Sequence, residues 1–170
     1  QPVGTLLTEE TPPHPDTLYG TVKLLAEQAL AAMARPDFVS TSLRITGVYG
    51  TALPGQPHKW QTLFSDYLAG RPVEPRLATE VHGRDVARAA RMMLELPSGE
   101  INGKVFNVSD ILVDRHEMLK LLQVATGCPH PLPAPVTDIT PLLMETRRLG
   151  LGWTPGGRDL LARTIRSFYP

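Results

Sequence analysis

The sequence has one cysteine, no net charge and no long apolar run, and each of these absences excludes something. Cys128 is the only cysteine in 170 residues, so an internal disulfide is excluded and a reduced, cytoplasmic setting is expected. Lysine and arginine (17) balance aspartate and glutamate (17), which favours neither a nucleic-acid nor a membrane partner. No apolar stretch is long enough to cross a bilayer.

Metal chemistry is also not indicated. The sequence contains five histidines: His14, His58, His82, His116 and His130. Their spacing does not match that of metal ligands, so we predict no metal site.

The composition is that of a globular domain, with 42% hydrophobic and 20% charged residues. Hydrophobic periodicity, caps and prolines predict helices over 17–34, 60–68, 85–96, 118–126, 140–149 and 158–168. Strands are predicted over 38–45 and 104–109, with 1–17 as a surface connector and 46–50 as a loop. Helices therefore alternate with few strands, and strand 38–45 needs neighbours on both sides that the sequence does not contain.

Tyr19 and Lys23 stand four positions apart at the head of the first predicted helix. At this spacing two side chains share one helix face. A cation held near a phenol favours the phenolate, which makes the phenol useful as a general acid and base. The pairing is common on helices, so its context has to support a catalytic interpretation.

That context comes from three segments. The string EETPPHPDTLYGTVKLLAEQAL, with LRITGVYG after it, closely resembles the NAD-dependent epimerase/dehydratase family, the extended short-chain dehydrogenases/reductases. Further along, EVHGRDVARA resembles the family's histidine–aspartate segment, and RRLGLGWTP resembles its closing motif. The three segments follow the family's order and cover nearly the whole chain.

The resemblance implies roles for particular residues. Tyr19 would be the catalytic acid/base, and Lys23 would support it while hydrogen-bonding the ribose of an NAD or NADP cofactor. Ile45 and Val48 would lie against the nicotinamide.

For the substrate, the resemblance implies contacts from Gly47, Arg76 and His82. The family usually has asparagine where this chain has Gly47, and arginine where it has Ala78. These departures weaken the case for a sugar-nucleotide substrate, and another small carbonyl or hydroxyl compound fits as well. Arg44 is expected to brace the following loop, and Asp85 to act mainly as a helix N-cap.

The resemblance implies an α/β fold: the C-terminal portion of a Rossmann-type parallel sheet plus a small, mostly helical substrate-binding region. We predict a division into 1–50, which carries the Tyr-x-x-x-Lys helix, and 51–170, with strand 104–109 returning to the main sheet. The family's glycine-rich dinucleotide fingerprint is not found in the sequence, so we expect a C-terminal part of a larger protein, inactive by itself.

Three hypotheses remain. The first is an NAD(P)-dependent epimerase, dehydratase or reductase that uses Tyr19 and Lys23, as a homodimer through the helix that carries them. The second is a non-catalytic nucleotide-binding or regulatory module of the same fold. The third is a folded but inert fragment.

Overall fold

The structure is a computed structural model that describes residues 5–137, 143–150 and 152–169. The α-helices in these residues are α1 (Leu18–Met33), α2 (Gln61–Leu68), α3 (Gly83–Glu95), α4 (Ser98–Ile101), α5 (Arg115–Thr126) and α6 (Gly157–Ser167). The strands are β1 (Leu6–Leu7), β2 (Thr41–Ile45), β3 (Gly47–Tyr49), β4 (Leu77–His82), β5 (Lys104–Val108), β6 (Ile111–Asp114) and β7 (Leu143–Met144). None of the described helices is long and apolar enough to cross a membrane.

Helix ends follow the capping residues that the sequence offers. Thr17 precedes α1 and its hydroxyl accepts the backbone N–H of Gly20 at 3.1 Å. Asp114 caps α5 in the same way, and Gly127 ends that helix with a φ of 69°, a left-handed conformation that favours glycine. The predicted start of α1 and the predicted end of α5 are confirmed, whereas α5 begins at Arg115, three positions before the predicted residue 118.

The strands pair mainly in parallel. β2 lies beside β5, with Leu43 opposite Phe106, so the strands predicted over 38–45 and 104–109 are neighbours. β3 lies parallel to β4, and β6 pairs with β4 in the antiparallel direction. Parallel strands connected through helices make an α/β fold, as predicted.

Two groups of buried side chains form the core. The first packs α2, α5 and α6 against β6, and includes Phe64, Leu119 and Leu161, all fully buried. The second packs α3 against β4 and β5, and includes Val81 and Val108. The long apolar side chains of α1 join neither group, and the helix has no buried residue.

Several predicted elements were wrong. A helix was predicted over 140–149. Residues 140–142 lie outside the described residues, and the rest of this range contains β7 and a 3₁₀ turn (Arg147–Leu149) instead of a helix. Its apolar residues pair with the start of the chain, since Leu143 lies opposite Leu6 in a two-stranded parallel sheet. The predicted connector 1–17 therefore contains β1, and the predicted loop 46–50 contains β3.

Candidate functional site

Tyr19 and Lys23 lie on the solvent-facing first turns of α1. The Tyr19 side chain is 73% exposed, and the Lys23 Nζ lies 5.4 Å from the centroid of its ring. This is cation–π distance, so the predicted pairing of the two side chains is present in the structure. Neither the Tyr19 hydroxyl nor the Lys23 ammonium hydrogen-bonds another side chain of the described residues, so both are free to bind a ligand.

An ion pair fixes α1 against the sheet below these two residues. Arg44 on β2 donates from Nε and Nη2 to the two carboxylate oxygens of Glu27, at 2.9 and 2.7 Å. Glu27 is one helical turn after Lys23, so the bidentate contact sets the orientation of the helix face that carries Tyr19 and Lys23. The hydrogen bond to Glu27 raises the pKa of Arg44. Arg44 thus braces α1 rather than the following loop, which corrects the role expected from the sequence.

One cleft, the helix cleft, lies between α1 and β2 and has a volume of about 630 Å³. Its lining includes Tyr19, Lys23, Glu27, Arg44 and Ile45. The structure therefore brings together three of the predicted site residues, namely Tyr19, Lys23 and Ile45. The Ile45 side chain is 41% exposed, which leaves an apolar surface beside the tyrosine and the lysine.

The second cleft, the sheet cleft, is lined by residues of β3, β4 and β6 and has a volume of about 610 Å³. Gly47 and Arg76, two of the predicted substrate residues, line it together with Ala78. Arg115 also reaches this cleft, donating from Nη1 to the carbonyl oxygen of Glu74 at 2.9 Å. Burial lowers the pKa of Arg115, with a further contribution from the nearby positive charge of Arg76.

The sheet cleft contains an ion pair that sequence reasoning missed. Lys59, just before α2, pairs through Nζ with Oε2 of Glu80 on β4. The Glu80 side chain is only 7% exposed and that of Lys59 is 35% exposed. The signal in the sequence was Glu80, a carboxylate within the largely apolar strand Leu77–His82. A buried carboxylate requires a partner, so its position in the strand indicated that an ion pair was needed.

The third cleft, the histidine cleft, has a volume of about 380 Å³ and contains the remaining predicted residues, Val48 and His82, together with His58. The His82 ring accepts the backbone N–H of Arg84 through Nδ1 at 3.0 Å and so caps α3. His58 accepts the N–H of Trp60 in the same way at 3.2 Å. Burial lowers the pKa of both histidines, and in each ring Nδ1 is the hydrogen-bond acceptor.

Asp85 was expected to be the N-cap of its helix, and this was wrong. His82 takes that position, while Asp85 lies in the first turn, 1% exposed, and accepts the N–H of Gly156 at 2.9 Å. The Asp85 carbonyl oxygen also accepts the indole N–H of Trp153 at 2.9 Å. Asp85 therefore joins α3 to the segment that enters α6.

Asp110 and Tyr49 lie near this junction. Asp110 accepts the N–H of Gly157 at 2.9 Å, and burial raises its pKa, as it does that of the Tyr49 hydroxyl. The described residues contain no group of three or more metal-ligating side chains, so these carboxylates do not form a metal centre there.

The sequence model described as the NAD dependent epimerase/dehydratase family matches residues 1–109. A comparison with curated proteins gave no significant match.

Solved structures of similar fold include a UDP-glucose 4-epimerase from Thermotoga maritima with UDP-glucose. It has a TM-score of 0.74 and 25% sequence identity, and the match covers 96% of this chain and 57% of that one. MoeE5 in complex with UDP-glucuronic acid and NAD has a TM-score of 0.70 and 27% identity, over 96% of this chain and 60% of that one. A dTDP-glucose 4,6-dehydratase from Bacillus anthracis with NAD has a TM-score of 0.73 and 18% identity, and the match covers 96% of this chain and 55% of that one. At this identity the likeness shows the fold alone.

The chain thus spans between 55% and 60% of the length of these structures. The family model, by contrast, covers 109 of the 170 residues, and it agrees with the resemblance seen in the sequence. On that match, the chain belongs to the NAD-dependent epimerase/dehydratase family.

Proposed function

We propose that this chain carries the catalytic tyrosine and lysine of an NAD(P)-dependent epimerase or dehydratase that acts on a sugar nucleotide. The observation that carries the proposal is the pairing of Tyr19 and Lys23 at the mouth of the helix cleft, with no competing side-chain hydrogen bond among the described residues. Support also comes from two structures at 25% and 27% identity, whose ligands are UDP-glucose and UDP-glucuronic acid with NAD.

The residues of the helix cleft fit the nicotinamide and ribose end of the cofactor. Lys23 offers three N–H donors to ribose hydroxyls, and Ile45 offers an exposed apolar surface to a flat ring. Val48 lies on the next strand, 44% exposed, and is proposed as a second apolar contact. When bound, the cofactor would supply hydride transfer to or from the substrate carbon.

The chain's own residues then handle the proton. Tyr19 Oη would take the proton of a substrate hydroxyl during oxidation and return it during reduction. The Lys23 ammonium lies beside the ring and brings a positive charge to the place where this proton would be exchanged. The Arg44–Glu27 pair keeps the helix face turned toward the cleft.

Substrate contacts are proposed for Gly47 and Arg76, which line the sheet cleft, and for His82 at the adjoining histidine cleft. Gly47 of the sheet cleft follows Ile45 of the helix cleft by two positions along the chain, so we propose that a ligand longer than one sugar extends from Tyr19 past Gly47 toward Arg76. The cation at Arg76 suits a phosphate group. A cytoplasmic location and the division at residue 50 remain part of the proposal.

A homodimer through α1 is the proposed assembly. The helix exposes Leu18 (82%), Val22 (54%) and Leu25 (59%), so it presents apolar surface that a second helix can cover. Sedimentation of the full-length protein tests this: wild type should be dimeric, and Leu25→Glu should be monomeric. A monomeric wild type would refute the assembly without bearing on the chemistry.

The experiment for the activity compares Tyr19→Phe with wild type in the full-length protein. Removing one hydroxyl should lower turnover of UDP-sugars by about 10² to 10⁴ while NAD binding stays the same. A second candidate, a non-catalytic nucleotide-binding module, rests on the departures at Gly47 and Ala78. It predicts stoichiometric NAD binding by wild type with no turnover of any sugar nucleotide.

A further inference from the structure

Gly47 lies against the Lys59–Glu80 ion pair, which leaves little room for a side chain at position 47. Gly47 on β3 lies directly opposite Glu80 on β4 in the parallel register. A Cβ at Gly47 would lie 2.5 Å from the Lys59 Nζ and 2.6 Å from Oε2 of Glu80. Both separations are too short for real atoms, so a side chain at position 47 would require the ion pair to shift.

The pair lines the sheet cleft, with the Glu80 side chain 7% exposed and the Lys59 side chain 35% exposed. Glu80 is fixed by the β4 backbone and is nearly buried, so its charge holds the ammonium of Lys59 at one place. An ammonium has three N–H donors, and Glu80 uses one. Two donors of Lys59 are left for a ligand in the cleft.

The charges around the cleft favour an anion. Its lining contains three cations (Lys59, Arg76 and Arg115) and one carboxylate (Glu80), so three positive charges less one negative charge leave a net charge of +2. Arg115 is anchored on a backbone carbonyl, whereas the Arg76 guanidinium hydrogen-bonds no other side chain of the described residues. Ala78, at the position where the family's arginine was expected, lies in the same cleft and contributes no charge.

We propose that Lys59 is a specificity-determining residue that binds a phosphate or diphosphate group in the sheet cleft, with Glu80 as its positioning residue and Gly47 as the residue that makes room for both. Lys59, two positions before α2, supplies the positive charge that the expected arginine would have provided at position 78. The proposal rests on the proposed function, because a sugar nucleotide is the expected source of the diphosphate. Inorganic pyrophosphate has the same chemistry and is therefore tested separately.

The test measures ligand affinity in the full-length protein by calorimetry or NMR titration. The probes are UDP, dTDP and inorganic pyrophosphate, with uridine and thymidine as nucleosides that lack phosphate. The main variant is Lys59→Met combined with Glu80→Gln. It removes one charge of each sign, so the cleft keeps its net charge and no buried carboxylate is left unpaired.

A loss of affinity in this double variant therefore indicates that the ligand contacts Lys59, because the net charge of the cleft has not changed. Affinity for the diphosphates should fall about tenfold or more, as expected for one charge-assisted hydrogen bond. Nucleoside affinity should change less than twofold. If the substitutions merely disturbed the structure of the cleft, nucleoside affinity would fall as well. Lys120→Met, a change at an exposed lysine outside the cleft, should leave every affinity as in wild type.

Gly47→Ala gives an independent check, because its added methyl group displaces the pair without changing charge. The Gly47 backbone is not in the left-handed region, so alanine is accessible there. Its control is Gly99→Ala, where an added Cβ meets nothing within 4 Å. We expect Gly47→Ala to weaken diphosphate binding and Gly99→Ala to have no effect.

Two results overturn the proposal: diphosphate affinity within twofold of wild type in the double variant, or no binding of any diphosphate by wild type. Lys59-dependent binding of pyrophosphate but not of the nucleotides supports the site and identifies a free anion as its source. None of these readouts depends on turnover. Loss of the Tyr19 activity and loss of the Lys59 site are therefore separately observable.

Discussion

Asp85→Ala should be strongly destabilising, because Asp85 joins two parts of the chain that are far apart in sequence. The carboxylate is buried and accepts the N–H of Gly156, 71 positions later. It also lies in the first turn of α3, where a negative charge is favourable. Alanine removes both interactions and leaves the Gly156 N–H without its partner.

The magnitude follows from these two losses. A hydrogen bond to a charged acceptor contributes about 1.5–3 kcal/mol, and a first-turn carboxylate about 0.3–1 kcal/mol. We add nothing for Arg88, because its contact with Asp85 is 3.4 Å long and its side chain is 44% exposed. The free energy of unfolding should therefore fall by roughly 2–4 kcal/mol.

Urea unfolding followed by circular dichroism measures this change. Asp85→Asn keeps an oxygen acceptor of the same shape without the charge, so it should lose less than Asp85→Ala. Asp37→Ala is the matched control, since that carboxylate is 76% exposed in a surface pair with Arg35, and it should change stability by less than about 0.5 kcal/mol. If Asp85→Ala cost no more than Asp37→Ala, the proposed junction between α3 and α6 would be refuted.

Further predictions concern the site. Stability should decrease as the pH falls through about 6.5, because partial burial lowers the pKa of His58 and His82 and the unfolded chain then binds protons that the folded chain does not. Urea midpoints should fall, and less so in a His58→Gln/His82→Gln variant. An unchanged midpoint between pH 7.5 and 5.5 would contradict this. Arg44→Met should lower the free energy of unfolding by about 1–3 kcal/mol and lower turnover as well, because it releases α1 and leaves Glu27 without its partner. Full turnover in a destabilised variant would show that the ion pair does not position the helix face that carries Tyr19 and Lys23.

Much of the fold could be predicted because local signals agreed with the final packing. Helix ends are determined by hydrogen bonds to nearby backbone at Thr17 and Asp114, and by backbone conformation at Gly127. Such local effects can be recognised from a short stretch of sequence. β2 and β5 were visible for the same reason, as short runs with strand composition.

The elements that were missed depend on contacts between distant residues. β3 has three residues and exists because it pairs with β4, more than thirty positions later. β7 has two residues and pairs with β1 near the start of the chain. No periodicity can develop over two or three residues, so these strands could not be recognised without their partners.

The candidate site divides in the same way. Tyr19 and Lys23 could be identified because their spacing and the surrounding segments resemble a known family. Lys59 and Glu80 could not, because they are 21 positions apart and become a pair only when β4 lies beside the start of α2. His82 was noticed, but its role as the cap of α3 depends on the backbone geometry at Arg84.

The most direct test of the account is UDP-sugar turnover with NAD in the full-length protein, measured for wild type, Tyr19→Phe and Lys23→Met together with NAD affinity. We predict turnover by wild type, a loss of about 10² or more in Tyr19→Phe, and unchanged NAD affinity in that variant. Lys23→Met should lose both turnover and NAD affinity, since Lys23 is proposed to serve both. Turnover by Tyr19→Phe at the wild-type rate would contradict the central claim that this tyrosine moves the proton.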